Sequence, residues 1–300
     1  MDLDFSEALT KAWKITWKHK TLWGLAFAMA FAAFLFLPLM LAPIFWAVFY
    51  ADPTHRLEYP LPWLGMALGF ALLMVASYGI APLIRSAMTI GALKAEGGAE
   101  KVSFGELLRE ARPYYLRFFG VTLLLGLAIA LVSSAFAAIQ AFGIAVTMGL
   151  AGLCFAPLSL LVYPLLYAGM VLMELAEAAI VVDGVGVMDS ARRAWETMRS
   201  NKAKIFLLAL AVYLGVGMFS GALVFPFILP MFLAPFFIFD SGELSSGFLW
   251  GAGIWMVLFF PVMAFAQGIG MTFIKTAWTL AYLRLARKPE NVVIVSESNA

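Results

Sequence analysis

Charge is scarce in this 300-residue chain: 13% of residues are Asp, Glu, Lys or Arg, while 63% are hydrophobic. An ordinary soluble domain carries about 25% charged and about 45–50% apolar residues, so there is too little polar surface here to cover a fold in water. Cysteine occurs once, as Cys154 in an apolar run, which rules out an intrachain disulfide and reads as a small packing residue. Histidine occurs twice, as His19 and His55. The 20 basic and 18 acidic residues nearly cancel to +2, so nothing marks nucleic acid as a partner. No loop approaches the size of a soluble domain.

What is present is long apolar sequence. The runs divide into spans at 21–50, 61–93, 118–140, 150–182, 205–239 and 247–285, each at or above the ~20 residues that cross a bilayer. The uncharged stretch between Arg117 and Glu174 is too long for one crossing and predicts a tight hairpin near 143–152. The first apolar run is too long for a signal peptide and follows a patterned segment of 20 residues, so it is read as a span. Segments 1–20, 85–117, 192–204 and 275–288 hold four, six, five and four Lys or Arg, and only Arg56 lies on the other side. Basic residues near span ends stay in the cytoplasm, which predicts six spans with both termini inside the cell membrane. The expected fold is all-α: one integral membrane domain with a cytoplasmic tail at 289–300.

The chain also repeats. Phe5 to Trp13, Phe104 to Arg112 and Val187 to Trp195 align without gaps, with Ala12, Ala111 and Ala194 in register and an acid two places after each start. Asp4 with Glu7 and Ser103 with Glu106 have the spacing of capping boxes. In the first copy, Phe5, Leu9, Ala12, Trp13, Thr16 and Trp17 share a helical face opposite the lysines. Each copy is read as an interfacial helix, with Trp13, Trp17 and Trp195 as anchors at headgroup depth. A second set also aligns: Ala76 to Lys94, Leu165 to Asp183 and Ala266 to Arg284. Here Ala87, Ala176 and Ala277 coincide, as do the charges Arg85, Glu174 and Lys275. Each repeat, over approximately 4–95, 103–183 and 186–288, is then an interfacial helix plus a two-span hairpin, all three in one orientation.

An ionisable residue at mid-membrane costs about 2.5–3.5 kcal/mol and usually faces protein or water. About an axis, Arg85, Glu174 and Lys275 would reach equivalent depths; Glu174 could bridge the two cations, and Glu177, one turn on, would balance the second. The alternative is that all of them snorkel to the headgroups. The prolines within spans, among them Pro82, Pro157, Pro164 and Pro261, suit either kinked, cavity-forming helices or ordinary membrane packing. Gly65 with Gly69 and Gly217 with Gly221 have the spacing of close helix contacts.

The inventory for catalysis is poor. Neither histidine lies in a span, so no intramembrane Ser-His pair can form, and no His-Glu-x-x-His helix occurs. Glu174 and Glu177 lack the adjacent Glu-Glu and intramembrane His of a glutamate-based protease, and Asp183-Gly184 lacks the spacing of a lipid-alcohol phosphotransferase. Asp52, His55 and Glu58, a conceivable ligand trio, read as a solvated loop. No enzyme activity, catalytic residue, metal site or cofactor is expected.

The segments Phe5 to Leu25, Val182 to Leu208 and Thr276 to Leu285 resemble a broad group of bacterial and archaeal multi-spanning proteins, related to the membrane domain attached to glycerophosphoryl diester phosphodiesterases. The resemblance is one of residue types and implies no phosphodiesterase activity, because the catalytic domain does not occur in these residues. Three two-span repeats with a surface helix are also similar in architecture to mitochondrial carriers, without their Pro-x-acid-x-x-base motif. Two functions follow as expectations. One is transport or handling of a small solute or lipid ligand, among membrane lipids, through a pseudo-threefold bundle. The other is a non-catalytic organiser bound to a membrane protein partner, in which the tail patch Val292 to Val295 could add as a strand.

Overall fold

The computed structural model describes residues 5–30, 60–147, 151–239 and 246–286. It is helical throughout, with no strand among the described residues. A helix α1 covers Phe5–Lys18, and a second, α2, runs through 20–30. Then come α3 (Pro60–Val75), α4 (Ala81–Glu96), α5 (Phe104–Ala111), α6 (Tyr115–Val121), α7 (Leu127–Val146) and α8 (Ala151–Asp183). The chain continues through α9 (Val187–Ser200), α10 (Lys202–Phe239) and α11 (Ser246–Ala286). Five helical runs are long and apolar enough to cross a membrane: Leu64–Glu96, Phe104–Val146, Pro157–Asp183, Lys202–Pro226 and Leu258–Ala286. The chain therefore has the make-up of a membrane protein. Most of the expected first span, the loop bearing Asp52, His55 and Glu58, and the tail lie outside the described residues, as does Asp4.

The hairpin falls where the uncharged stretch required it, with α7 ending at Val146 and α8 starting at Ala151. Helix α4 joins α3 through a π-turn at Ala76–Ile80, just before Pro82. Proline supplies no N–H and its ring crowds the carbonyl four residues back, so one widened turn absorbs the mismatch without ending the helix. The second amphipathic segment runs on into the apolar helix that follows it: α5 passes through a short 3-10 turn at Arg112–Tyr114 directly into α6, with Pro113 at the turn.

Helices α4, α8 and α11 all pack on one another and form the centre. Ala87, Ala176 and Ala277 are fully buried at their contacts, where a small side chain allows close approach. Trp278, Tyr282, Met88, Leu175 and Ile180 fill the space around them. Gly91 admits the Leu22 side chain of α2, and Gly268 lies against the α2 backbone, where an added Cβ would sit 3.4 Å from Trp23 O and Phe27 N. Hydroxyls in this core bond back to their own helices: Thr89 to the Arg85 carbonyl at 3.0 Å, Thr272 to Gly268 at 2.8 Å and Thr279 to Lys275 at 2.7 Å.

Three amphipathic helices cover one end of this centre: α1 rests on α11 and α4, α5 on α4, and α9 on α8. Ala12, Ala111 and Ala194 are each fully buried at the contact. The buried face of α1 is Ala8, Ala12, Ile15 and Thr16; Trp13 and Trp17 flank it, 44% and 41% exposed. Trp195 is likewise 52% exposed. Among the described residues the opposite end is loosely packed. No residue of α7 is buried, and Leu158 to Tyr167 of α8 show no buried residue either. Gly217 and Gly221 meet nothing within 4 Å, contrary to the close contact their spacing suggested. The contact face of α10 runs instead through Ile205, Leu208, Val212 and Val224, leaving these glycines on the apolar outside.

Candidate functional site: a buried ion cluster

Four ionisable side chains meet where α4, α8 and α11 converge. Lys275 on α11 is 2% exposed and lies 2.7 Å from the Glu174 carboxylate of α8. It also donates to Glu177, one turn further along the same face of α8. From α4, Arg85 Nη1 reaches the other Glu177 oxygen at 3.2 Å and contacts the Met173 sulfur at 3.7 Å. Two cations and two carboxylates thus form a neutral set. Side-chain exposure is 1% for Glu177, 8% for Glu174 and 19% for Arg85, which excludes the snorkelling alternative for Lys275 and both acids.

The bridge is Glu177 and not Glu174: Glu177 holds both cations, whereas Glu174 pairs with Lys275 alone. The cause is position. One helical turn toward the charged end places Glu177 between α4 and α11, while Glu174 remains on the α11 side. Arg85 Nε has no hydrogen-bond partner, nor by geometric criteria do Trp278 Nε1 and the Tyr213 hydroxyl, whose rings lie 6.4 Å apart. Buried donors of this kind are costly unless paired, so this layer retains unused polar capacity.

A second tier of ion pairs joins the amphipathic helices to the ends of the central ones. Glu7 of α1 pairs with Arg284 of α11 at 2.9 Å, and Lys11 with Glu96 of α4 at 2.7 Å. Lys94 of α4 lies between Glu106 and Glu110 of α5, at 2.6 and 2.7 Å. Asp183 ends α8 and accepts from Arg193 of α9 at 2.7 Å and from the Tyr282 hydroxyl at 2.6 Å. The bond to Asp183 holds the Arg193 guanidinium above its ordinary basicity. These pairs explain why the expected capping box at Ser103 does not form. Ser103 occupies the N-cap position but makes no side-chain capping bond, and Glu106 accepts from Lys94 instead of reaching back to the Ser103 N–H.

Sequence reading placed Arg85, Glu174, Glu177 and Lys275 together but overlooked the second tier. A signal for it existed: Lys94, Asp183 and Arg284 are the last residues of the three aligned segments, and Lys11, Glu110 and Arg193 are aligned in the amphipathic ones. Sign changes between copies concealed the correspondence. Among the described residues no three His, Cys, Asp or Glu side chains come together as metal ligands. Comparison with protein families, with characterised proteins and with solved structures yields no match for this chain.

Proposed function

We propose that the chain is a six-span membrane protein that handles a small solute or lipid, its three hairpins set about an axis normal to the bilayer. Arg85, Glu174, Glu177 and Lys275 form the polar constriction at the cytoplasmic end. The observation that carries this reading is the position of the cluster: four charges neutralise one another at the junction of the three central helices, with Lys275 and both glutamates buried and Arg85 partly exposed. Intramembrane charges of this kind are costly and commonly mark a pathway. A neutral, hydrogen-bonded set can open by exchanging one partner for a polar ligand.

Three features support the threefold arrangement. The aligned alanines are buried at corresponding contacts. Each amphipathic helix packs on the central helix of the preceding copy, and α1 closes the ring on α11, nearly the whole chain away. The central-helix members of the second-tier pairs, Lys94, Asp183 and Arg284, occupy aligned positions. Basic residues grouped on the end bearing these helices favour a cytoplasmic location for that end and for both termini, in the cell membrane.

The test uses proteoliposomes and asks two things: flip of a fluorescent phosphatidylglycerol, read by dithionite quenching, and release of a trapped panel of sugars, amino acids and organic acids, read by mass spectrometry. Selective movement by the wild type and its loss in Glu174→Gln are expected. A wild type inert toward the whole panel would sink the reading. A second reading, a non-catalytic partner subunit, is favoured by α7, which buries none of its residues against the chain. Its test is retention of a stoichiometric companion through mild-detergent purification.

A further inference from the structure

A cavity of about 570 Å³ lies away from the ion cluster, where α1 breaks before α2 and the segment leading into α5 passes by. From the break come Lys18, His19 and Lys20; from the facing segment come Lys101 and Ser103. The acids on the rim are Glu100 and Glu106, and Glu106 is already paired with Lys94. Three lysines therefore face one uncommitted carboxylate. No salt bridge joins any of the three among the described residues, and the Ser103 hydroxyl makes no capping bond.

His19 supplies the independent observation. It is 4% exposed as a residue and lines the cavity, and its ring nitrogens, which bond to no described residue, remain open to solvent there. Burial, followed by the neighbouring Lys18 charge, holds it below its ordinary value of 6.5. An anion in the cavity could take hydrogen bonds from the three lysines, the Ser103 hydroxyl and the His19 imidazole at once. Phosphate fits by charge and by its oxygens, each able to accept from an ammonium, an imidazole N–H or a hydroxyl. The cavity also lies where the uncharged run begins at Thr21, the depth at which a lipid headgroup would be met.

We infer that Lys18, His19, Lys20, Lys101 and Ser103 form a binding site for a phosphate-bearing anion, either a phospholipid headgroup or free phosphate. The site is separate from the proposed pathway and does not depend on whether the chain transports.

The test takes delipidated full-length protein in neutral detergent and titrates dihexanoyl-phosphatidic acid, inorganic phosphate and phosphate-free dihexanoylglycerol, with binding read by calorimetry. Saturable binding of the phosphatidic acid is expected. Competition by inorganic phosphate assigns the site to the phosphate group alone, and failure to compete assigns it to the lipid headgroup; both support the site. The K18Q/K20Q/K101Q triple should bind about tenfold more weakly, since exposed ion pairs each contribute little but three are lost together. A charge-matched K14Q/R112Q/K202Q control, exposed elsewhere, should bind as the wild type does. In a His55→Gln background, the His19 ring proton should titrate at higher pH with phosphatidic acid present. The site is overturned by no binding, by equal binding of dihexanoylglycerol, by equal weakening in both triples, or by an unmoved His19 titration.

Discussion

The two halves of α8 share a composition class but not an environment. From Leu158 to Tyr167 no side chain is buried, whereas Leu175, Ala176, Glu177, Ala178, Ala179 and Ile180 are essentially inaccessible. The same division separates α3 from α4. Hydrophobicity does not distinguish the halves, because in a bilayer lipid tails are as apolar as leucine and helices gain little by burying leucine against each other. Small residues and paired charges distinguish them: the packed half holds Ala176, Ala179 and the glutamates, the open half holds Leu160, Leu161 and Leu165.

The largest effect that would sharpen this contrast is loss of Lys275. Lys275→Met leaves two buried carboxylates with one cation and should lower stability by about 3–5 kcal/mol. Measured by denaturant titration in detergent, the K275M/E174Q double variant should recover much of that loss, because Arg85 and Glu177 remain a matched pair. Equal destabilisation by single and double variants would show that charge balance is not what holds the centre together.

Next in size is overpacking. Ala176→Leu should cost about 1–3 kcal/mol, since the α4 and α11 surfaces leave no room, while Leu161→Ala on the open half of the same helix should change little. Similar losses at both positions would erase the proposed difference between the halves.

How far the sequence anticipated this depends on which physical signal carried each feature. The helices expected at 150–182, 205–239 and 247–285 lie within a few residues of α8, α10 and α11, because long apolar runs satisfy their backbone as helices. The ion cluster was legible because charges interrupting apolar helices have few places to go except toward one another. Which glutamate bridges was not legible, since that depends on helix rotation. The cap at Ser103 was misread for a related reason: Glu106 had a local partner by spacing, but a distant lysine offered a full charge. The glycines at 217 and 221 show that small-residue spacing identifies a possible contact face, not an occupied one.

A smaller effect concerns the second tier. Glu7→Gln should lower stability by no more than about 1 kcal/mol, as an exposed pair contributes little, and the denaturation midpoint checks it. The smallest effect is at the break before α2. Because His19 is held below 6.5, unfolding takes up a proton near and below that pH. Its stability contribution is therefore complete above the unfolded value and lost as pH falls through the folded one. A shallower acid loss of stability is expected in His19→Gln, seen by comparing melting temperatures at pH 7.5 and 5.5.

The most direct test of the whole account concerns direction: whether the three hairpins enter the bilayer the same way, so that their charges arrive at one depth. Single cysteines at positions 14, 112 and 202, placed in a Cys154→Ser background, can be labelled by an impermeant maleimide in sealed right-side-out and inverted vesicles. The account expects all three to react from the same face, the one exposed in inverted vesicles. Reaction of any one from the opposite face would contradict it.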